Sequence, residues 1–288
     1  MEWHNTHMYN FDELMRDDNP AVIFRGVVGS HAYGTANAAS DTDVRGVFVV
    51  PSREYVRLAQ PPKQVSDARN DRTYYSLLRF CELMSEANPT TMEMLYLPPD
   101  CVIKTTTAFE LLVKNRELFI SQRAVESHLG YAVSQIKKAR GCNKRVWNPW
   151  PEEPPRREDY ADVGAYQHAL KEHRQYWEWK RNRNNARWVQ QERGELDYDA
   201  KNMMHLTRLL FSGENIVKHG EPIVRFEGEK LETLLSIRRG EWTFGEIMAH
   251  AEKIQAEIES GKGRLPVESD KAKIDELIAE VMNEAGVK

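Results

Sequence analysis

Two apolar runs joined by a connection of small residues constrain this chain more than any other feature. Residues 27–50 read VVGSHAYGTANAASDTDVRGVFVV, so the first run ends in Gly29-Ser30 and the second begins with Asp41 and Asp43, one residue apart. A glycine directly after a strand lets the backbone turn tightly and lets anionic oxygens approach the main chain, to which the Ser30 hydroxyl and local N–H groups can donate. Successive side chains of a strand point to opposite faces, so Asp41 and Asp43 are expected to share one face, with Thr42 on the other. Carboxylates this close repel unless a cation lies between them, and hard oxygen ligands suit Mg²⁺ or Mn²⁺. The stretch is expected to hold a metal-bound triphosphate.

Strand, Gly-Ser, a spacer from His31 to Ser40 and Asp-x-Asp together resemble the signature of the DNA polymerase β superfamily of nucleotidyltransferases. The fuller form GSHAYG…SDTDVRGVFV is similar to the RNA-repair-associated subfamily. So are DRTYYSLLRFCELMSEANPTTMEMLY at 71–96, with Met94 where the subfamily has leucine, and the later segments YAVSQIKKA and YDAKNMMHLTRLL. The resemblance implies an α+β fold, with a catalytic domain over residues 1–103 built on a small mixed sheet flanked by helices. A mainly helical domain over 104–288 would close the substrate cleft. It implies NMP transfer from a nucleoside triphosphate to an acceptor hydroxyl with two Mg²⁺ (or Mn²⁺) ions. The metal ligands would be Asp41, Asp43 and a third carboxylate, Asp71, acting as general base, with Asp67 its rival. The acceptor implied is an RNA or tRNA end. The alternatives are a protein or small-molecule acceptor, or a non-catalytic nucleotide- or RNA-binding module.

Composition limits other classes. The 288 residues are 41% hydrophobic with a formal charge of −4, which disfavours whole-surface attraction to nucleic acid but leaves room for a local basic groove. No apolar run approaches the roughly 18 residues of a membrane span, and MEWHNTHMYNFDEL has no basic or apolar leader region, so a cytoplasmic protein is expected. Cys81, Cys101 and Cys142 lie far apart with no CxxC pair, as idle thiols do. The Walker motif GxxxxGK[ST] and the deaminase signature are absent from the sequence.

In chain order, a short helix is expected at 11–18, a fully buried strand at 21–28 and a strand at 41–50. Arg45 then shares the face of Asp41 and Asp43, either bracing a carboxylate or meeting a phosphate. A strand near 71–76 precedes a helix to about 87, and Thr90 or Thr91 would cap a new turn around Glu93, whose role is structural. From about residue 104 the pattern is helical, with one further strand signal at 223–226. The helix at 121–139 aligns Tyr131, Gln135 and Lys138, and the helix at 199–211 aligns Lys201, His205 and Arg208 opposite Met203, Leu206 and Leu210. Such stripes either face solvent or line the cleft; the resemblance at these positions favours a phosphate-binding role. In YWEWKRNRNNARW, Trp177, Trp179 and Trp188 are either the buried stripe of a helix or a stacking surface for RNA. Gly240 and Thr243 should end one late helix and begin the next.

Overall fold

In the computed structural model, which describes residues 9–140, 148–182, 191 and 193–286, the apolar run after Pro20 forms strand β1 (Val22–Val28). All of it but Val27 is buried, as a run without polar alternation requires. Helix α1 (Phe11–Met15) precedes it and a single helical turn, α2 (Ser30–Tyr33), follows. Strand β2 (Asp43–Phe48) then returns antiparallel to β1, pairing Val28 with Asp43, Gly26 with Arg45 and Phe24 with Val47. The strand is shorter than the expected 41–50, and Asp41 and Thr42 precede its ladder.

Strands β3 (Gln64–Ser66), β4 (Arg72–Ser76) and β5 (Val102–Thr105) complete a mixed sheet in the order β3-β4-β2-β1-β5. Only the β2–β4 pairing is parallel. The two edge strands were not anticipated, because three or four half-exposed residues are too few to display a period.

One face of the sheet is covered by α3 (Leu77–Ser85) and α5 (Thr107–Lys114): the Phe24 ring stacks on Phe109 at 4.0 Å, and Phe80 meets Phe109 at 6.1 Å. On the other, Leu14 of α1 packs in a core with Tyr9, Phe48, Val50 and Tyr74. Helix α1 stops three residues before the expected end. Beyond Met15 the chain turns extended, where the Leu14 and Arg16 carbonyls and the Asp17 carboxylate accept hydrogen bonds from the buried Arg25 guanidinium. Between α3 and β5, α4 (Pro89–Glu93) is capped by Asn88, not by either threonine: its side chain accepts from the Thr90 and Thr91 N–H groups, and Pro89 takes the first helical position.

Among the described residues the remaining helices are α6 (Gln122–Ala139), α7 (Val163–Asn182), α8 (Ala200–His219), α9 (Gly228–Arg239), α10 (Phe244–Gly261) and α11 (Lys271–Glu284). Asp199 caps α8 by accepting from the Asn202 N–H, but the helix runs well past the expected Phe211. Its buried Ser212-Gly213 pair packs against Ile258 and His128. Residues 223–226 form no strand; the Phe226 N–H donates to the Tyr33 carbonyl and the Arg225 side chain to the Ala32 carbonyl, and these bonds tie them to α2. Gly240, at φ +80°, ends α9 as expected, and Thr243 and Glu246 form a reciprocal capping box at the start of α10. Among the described residues no helix is long and apolar enough to cross a membrane.

The chain divides into two compact units: Met1–Gly130 with Leu209–Thr233 and Glu252–Lys288, and Tyr131–Arg208 with Leu234–Ala251. The first contains the sheet, with α11 packed on α5 and α3. It also contains Glu214, whose side chain is 11% exposed and accepts hydrogen bonds from Lys218 at 2.6 Å and Lys230 at 2.9 Å. Burial alone would push the Glu214 carboxyl up; the two ammonium groups outweigh it and hold it down at about 2. A carboxyl depressed on folding contributes stability that is complete above its unfolded value of about 4.3 and drains away as pH falls towards 2. Urea midpoints for Glu214→Gln should therefore lie below wild type at pH 7, with a gap that has narrowed at about pH 3 and closes only at about pH 2 or below. An unchanged gap between the two proteins at pH 3 would contradict this assignment.

Candidate active site

The Gly29 backbone sits at φ +69°, ψ −144°, a conformation open to glycine alone, and this turns the chain from β1 directly into α2. The bend brings the main chain against Asp43: a Cβ on Gly29 would stand 2.7 Å from Asp43 Oδ2. Glycine and carboxylate thus form one surface, with the Asp43 side chain 36% exposed. Two residues along β2, on the same face, Arg45 places its guanidinium 3.9 Å from Asp43 Oδ1. Its Nη1 also donates to the Val44 and Asp71 carbonyls, each at 3.0 Å.

Asp71 is held through its backbone. Its carbonyl accepts from the Val44 N–H at 2.8 Å as well as from Arg45, and the parallel register pairing Val44 with Arg72 continues one step to set Asp71 level with Asp43. Asp67, its rival, sits in the β3–β4 turn, with its N–H bonded to the Arg72 carbonyl and its Oδ1 buried without a hydrogen-bond partner among the described residues. Asp41 is exposed on the approach to β2. Among the described residues no three His, Cys, Asp or Glu side chains are gathered closely enough to hold a metal ion. The donor chemistry nevertheless fits a divalent cation: Asp43 offers an accessible carboxylate, Asp41 lies two residues away, and the glycine beside them leaves the room a Cβ would fill.

The turn is braced from three directions. The Tyr33 hydroxyl donates to the buried Glu93 Oε2 at 2.7 Å. Arg225 donates from Nε to the Ala32 carbonyl and from Nη2 to Asp100, both at 2.8 Å. The Phe226 N–H reaches the Tyr33 carbonyl at 3.1 Å. Glu93 is structural, as anticipated, but the tyrosine and arginine that complete the brace were missed. The two subfamily-like segments GSHAYG and NPTTMEML carry Tyr33 and Glu93, and were the available signal for that contact. Tyr33→Phe is expected to lower stability by about 1–3 kcal/mol in urea unfolding, because a buried carboxylate loses a donor. A loss under about 0.5 kcal/mol, the size of an ordinary surface change, would remove Tyr33 from the brace.

Gly29, Ser30, Asp43, Arg45 and the Asp71 backbone are thus neighbours in the first unit. Tyr131, Gln135 and Lys138 of α6, and Lys201, His205 and Arg208 of α8, belong to the second. Tyr131 and Lys138 are exposed, while the Gln135 amide folds back to donate to the Tyr131 carbonyl at 3.2 Å. Lys201 is exposed and His205 half-buried, but Arg208 is buried, because α8 is covered on nearly every side from Asn202 to Phe211. The described thiols, Cys81 and Cys101, are free, and burial pushes Cys81 up to about 12. Cys142 and Trp188 lie outside the described residues.

A Gly-Ser turn packed on the carboxylate that opens a strand of a mixed sheet is the arrangement expected of a polymerase-β-type catalytic core. The chain belongs to the family described as the RNA repair pathway DNA polymerase beta family, whose model matches residues 3–280. The chain is also similar to an Enterobacteria phage T4 protein described as an uncharacterized 38.9 kDa protein in the nrdC-mobD intergenic region. The two are 29% identical over 130 residues, a stretch covering 41% of this chain and 38% of the phage protein. No solved structure matches the chain.

Proposed function

We propose that the protein is a metal-dependent nucleotidyltransferase that moves an NMP from a nucleoside triphosphate to the hydroxyl of an RNA end, releasing pyrophosphate. The observation that carries this reading is the packing of the Asp43 carboxylate on the Gly29 turn, which joins the two halves of the family signature. Asp41 and Asp43, with Asp71 as the third carboxylate, would hold Mg²⁺ or Mn²⁺. When bound, two such ions neutralise triphosphate charge and acidify the attacking hydroxyl. The Ser30 hydroxyl and the main chain of the turn hold phosphate oxygens. Arg45 keeps Asp43 oriented and ties Asp71 to the same strand end. The Tyr33–Glu93 and Arg225 contacts keep the turn rigid while charge moves, so little reorganisation is required of it. Tyr131, Gln135, Lys138, Lys201 and His205 are proposed to contribute to nucleotide binding, and the buried Arg208 to support them.

Incubation with each α-labelled NTP, in Mg²⁺ or Mn²⁺, against a mixed pool of tRNA, protein and metabolites tests this. Label is expected on RNA, with release of pyrophosphate. Label confined to protein or a metabolite would replace the acceptor, and no label anywhere would favour a non-catalytic binding module.

A further inference from the structure

The second unit contains a cavity of about 590 Å³ that the proposed transfer does not use. We propose that this cavity is a subsite for one nucleotide of a single-stranded RNA, its base against Trp177 and its flanking phosphates on Arg174 and Arg181. The choice of RNA over another polyanion rests on the acceptor reading above; the walls of the cavity do not depend on it.

One wall is a single stripe of α7: Leu170, Arg174, Trp177 and Arg181 follow one another at i, i+4, i+7 and i+11. Glu152 and Pro154 of the preceding connection supply more of the lining. The volume lies within the roughly 300–1,000 Å³ common for small-molecule clefts. Trp177 is half-buried and fixed: its Nε1–H donates to the Pro151 carbonyl at 2.8 Å, and His173 Nε2 lies 2.9 Å from the same oxygen. Trp150 meets His173 edge-on at 5.8 Å behind them. An indole held in this way offers a stacking surface with little rotamer freedom left to lose. Its neighbour Tyr176 is buried.

The charge is mainly positive. Arg174 and Arg181 are exposed and form no ion pair among the described residues, and Glu152 is the one carboxylate lining the cavity. Lys180, outside that lining, sets its ammonium over one face of the Trp177 ring, 4.9 Å from the centroid, so the base is placed on the other face. Seven residues of helix separate the two guanidinium-bearing positions by about 10 Å along the axis, so they can serve phosphates on either side of one base. A fixed ring between cations recognises an unpaired nucleotide without regard to its identity.

Fluorescence anisotropy of the full chain with a labelled, unstructured single-stranded RNA, without NTP or divalent metal, tests this apart from any chemistry. Trp177→Ala should weaken binding by roughly fivefold or more, while Trp177→Phe, which keeps a ring, stays within about threefold of wild type. Arg174→Ala and Arg181→Ala should each weaken binding and each lower the slope of log affinity against log salt by about 0.7. Arg264→Ala, an exposed arginine of the first unit, should change neither. The inference fails if wild type does not bind, if Trp177→Ala binds as wild type, or if Arg264→Ala weakens binding as much as the α7 arginines do. RNA binding through Trp177 in a protein that labels only non-RNA acceptors would uphold the subsite and overturn the acceptor reading. Labelling of RNA without a Trp177 dependence would do the reverse.

Discussion

Asp43→Ala is expected to reduce NMP transfer by roughly a thousandfold or more while leaving the fold intact, measured as label moved from an α-labelled NTP and as a thermal melt of the same sample. The two readouts separate because of where Asp43 sits. It opens β2 at the partly exposed end of its ladder, so truncation removes no core contact and should cost about 0.5 kcal/mol or less. Arg45 keeps its bonds to the Val44 and Asp71 carbonyls when the carboxylate is gone. Asp43→Asn preserves shape and removes charge, and should be nearly as inactive if the carboxylate works as a ligand; substantial activity in Asp43→Asn would reduce Asp43 to a hydrogen-bonding role. A wild-type rate in pure Asp43→Ala would end the transferase reading. Comparison of Asp71→Ala with Asp67→Ala then decides the third carboxylate: the backbone of Asp71 is level with Asp43, so its variant should lose transfer and the other retain it.

What was legible in the sequence is what short-range rules govern. Continuous apolar character placed β1 inside the sheet, alternation put Asp43 and Arg45 on one face, and Gly240 and Thr243 marked a helix boundary through φ sign and capping chemistry. Long-range pairing was not legible. Tyr33 and Glu93 meet across 60 residues, and Arg225 reaches Ala32 across 193, so no local window contains either contact. Arg208 shows the limit of the helical wheel. The wheel assigns a charged side chain to solvent, whereas a helix covered all round buries whatever stands at that position. Arg25 was hidden because the apolar residues around it dominate the strand pattern, and the carbonyl oxygens that accept from it are supplied by the end of α1.

Gly29→Ala carries the second large effect, and it tests whether turn and carboxylate act as one unit. Two separate penalties fall on the methyl group. The backbone at φ +69°, ψ −144° is strained for any L-residue, at about 1–3 kcal/mol, and the new Cβ would collide with Asp43 Oδ2 at 2.7 Å. Relief requires the carboxylate or the turn to move, so transfer should fall nearly as far as in Asp43→Ala even in the folded fraction. Gly34→Ala is the control: it also has a positive φ, of +78°, but its added Cβ meets the Phe226 carbonyl at 3.2 Å and does not touch Asp43. It should lose comparable stability while keeping most of its transfer rate per folded molecule. The double variant isolates the collision, because in an Asp43→Ala background the methyl has no carboxylate to strike. Its stability cost should then fall towards that of backbone strain alone, giving a coupling of roughly 0.5–3 kcal/mol between the two positions. Additive losses would mean that glycine and carboxylate are independent, and that the turn serves only to reverse the chain.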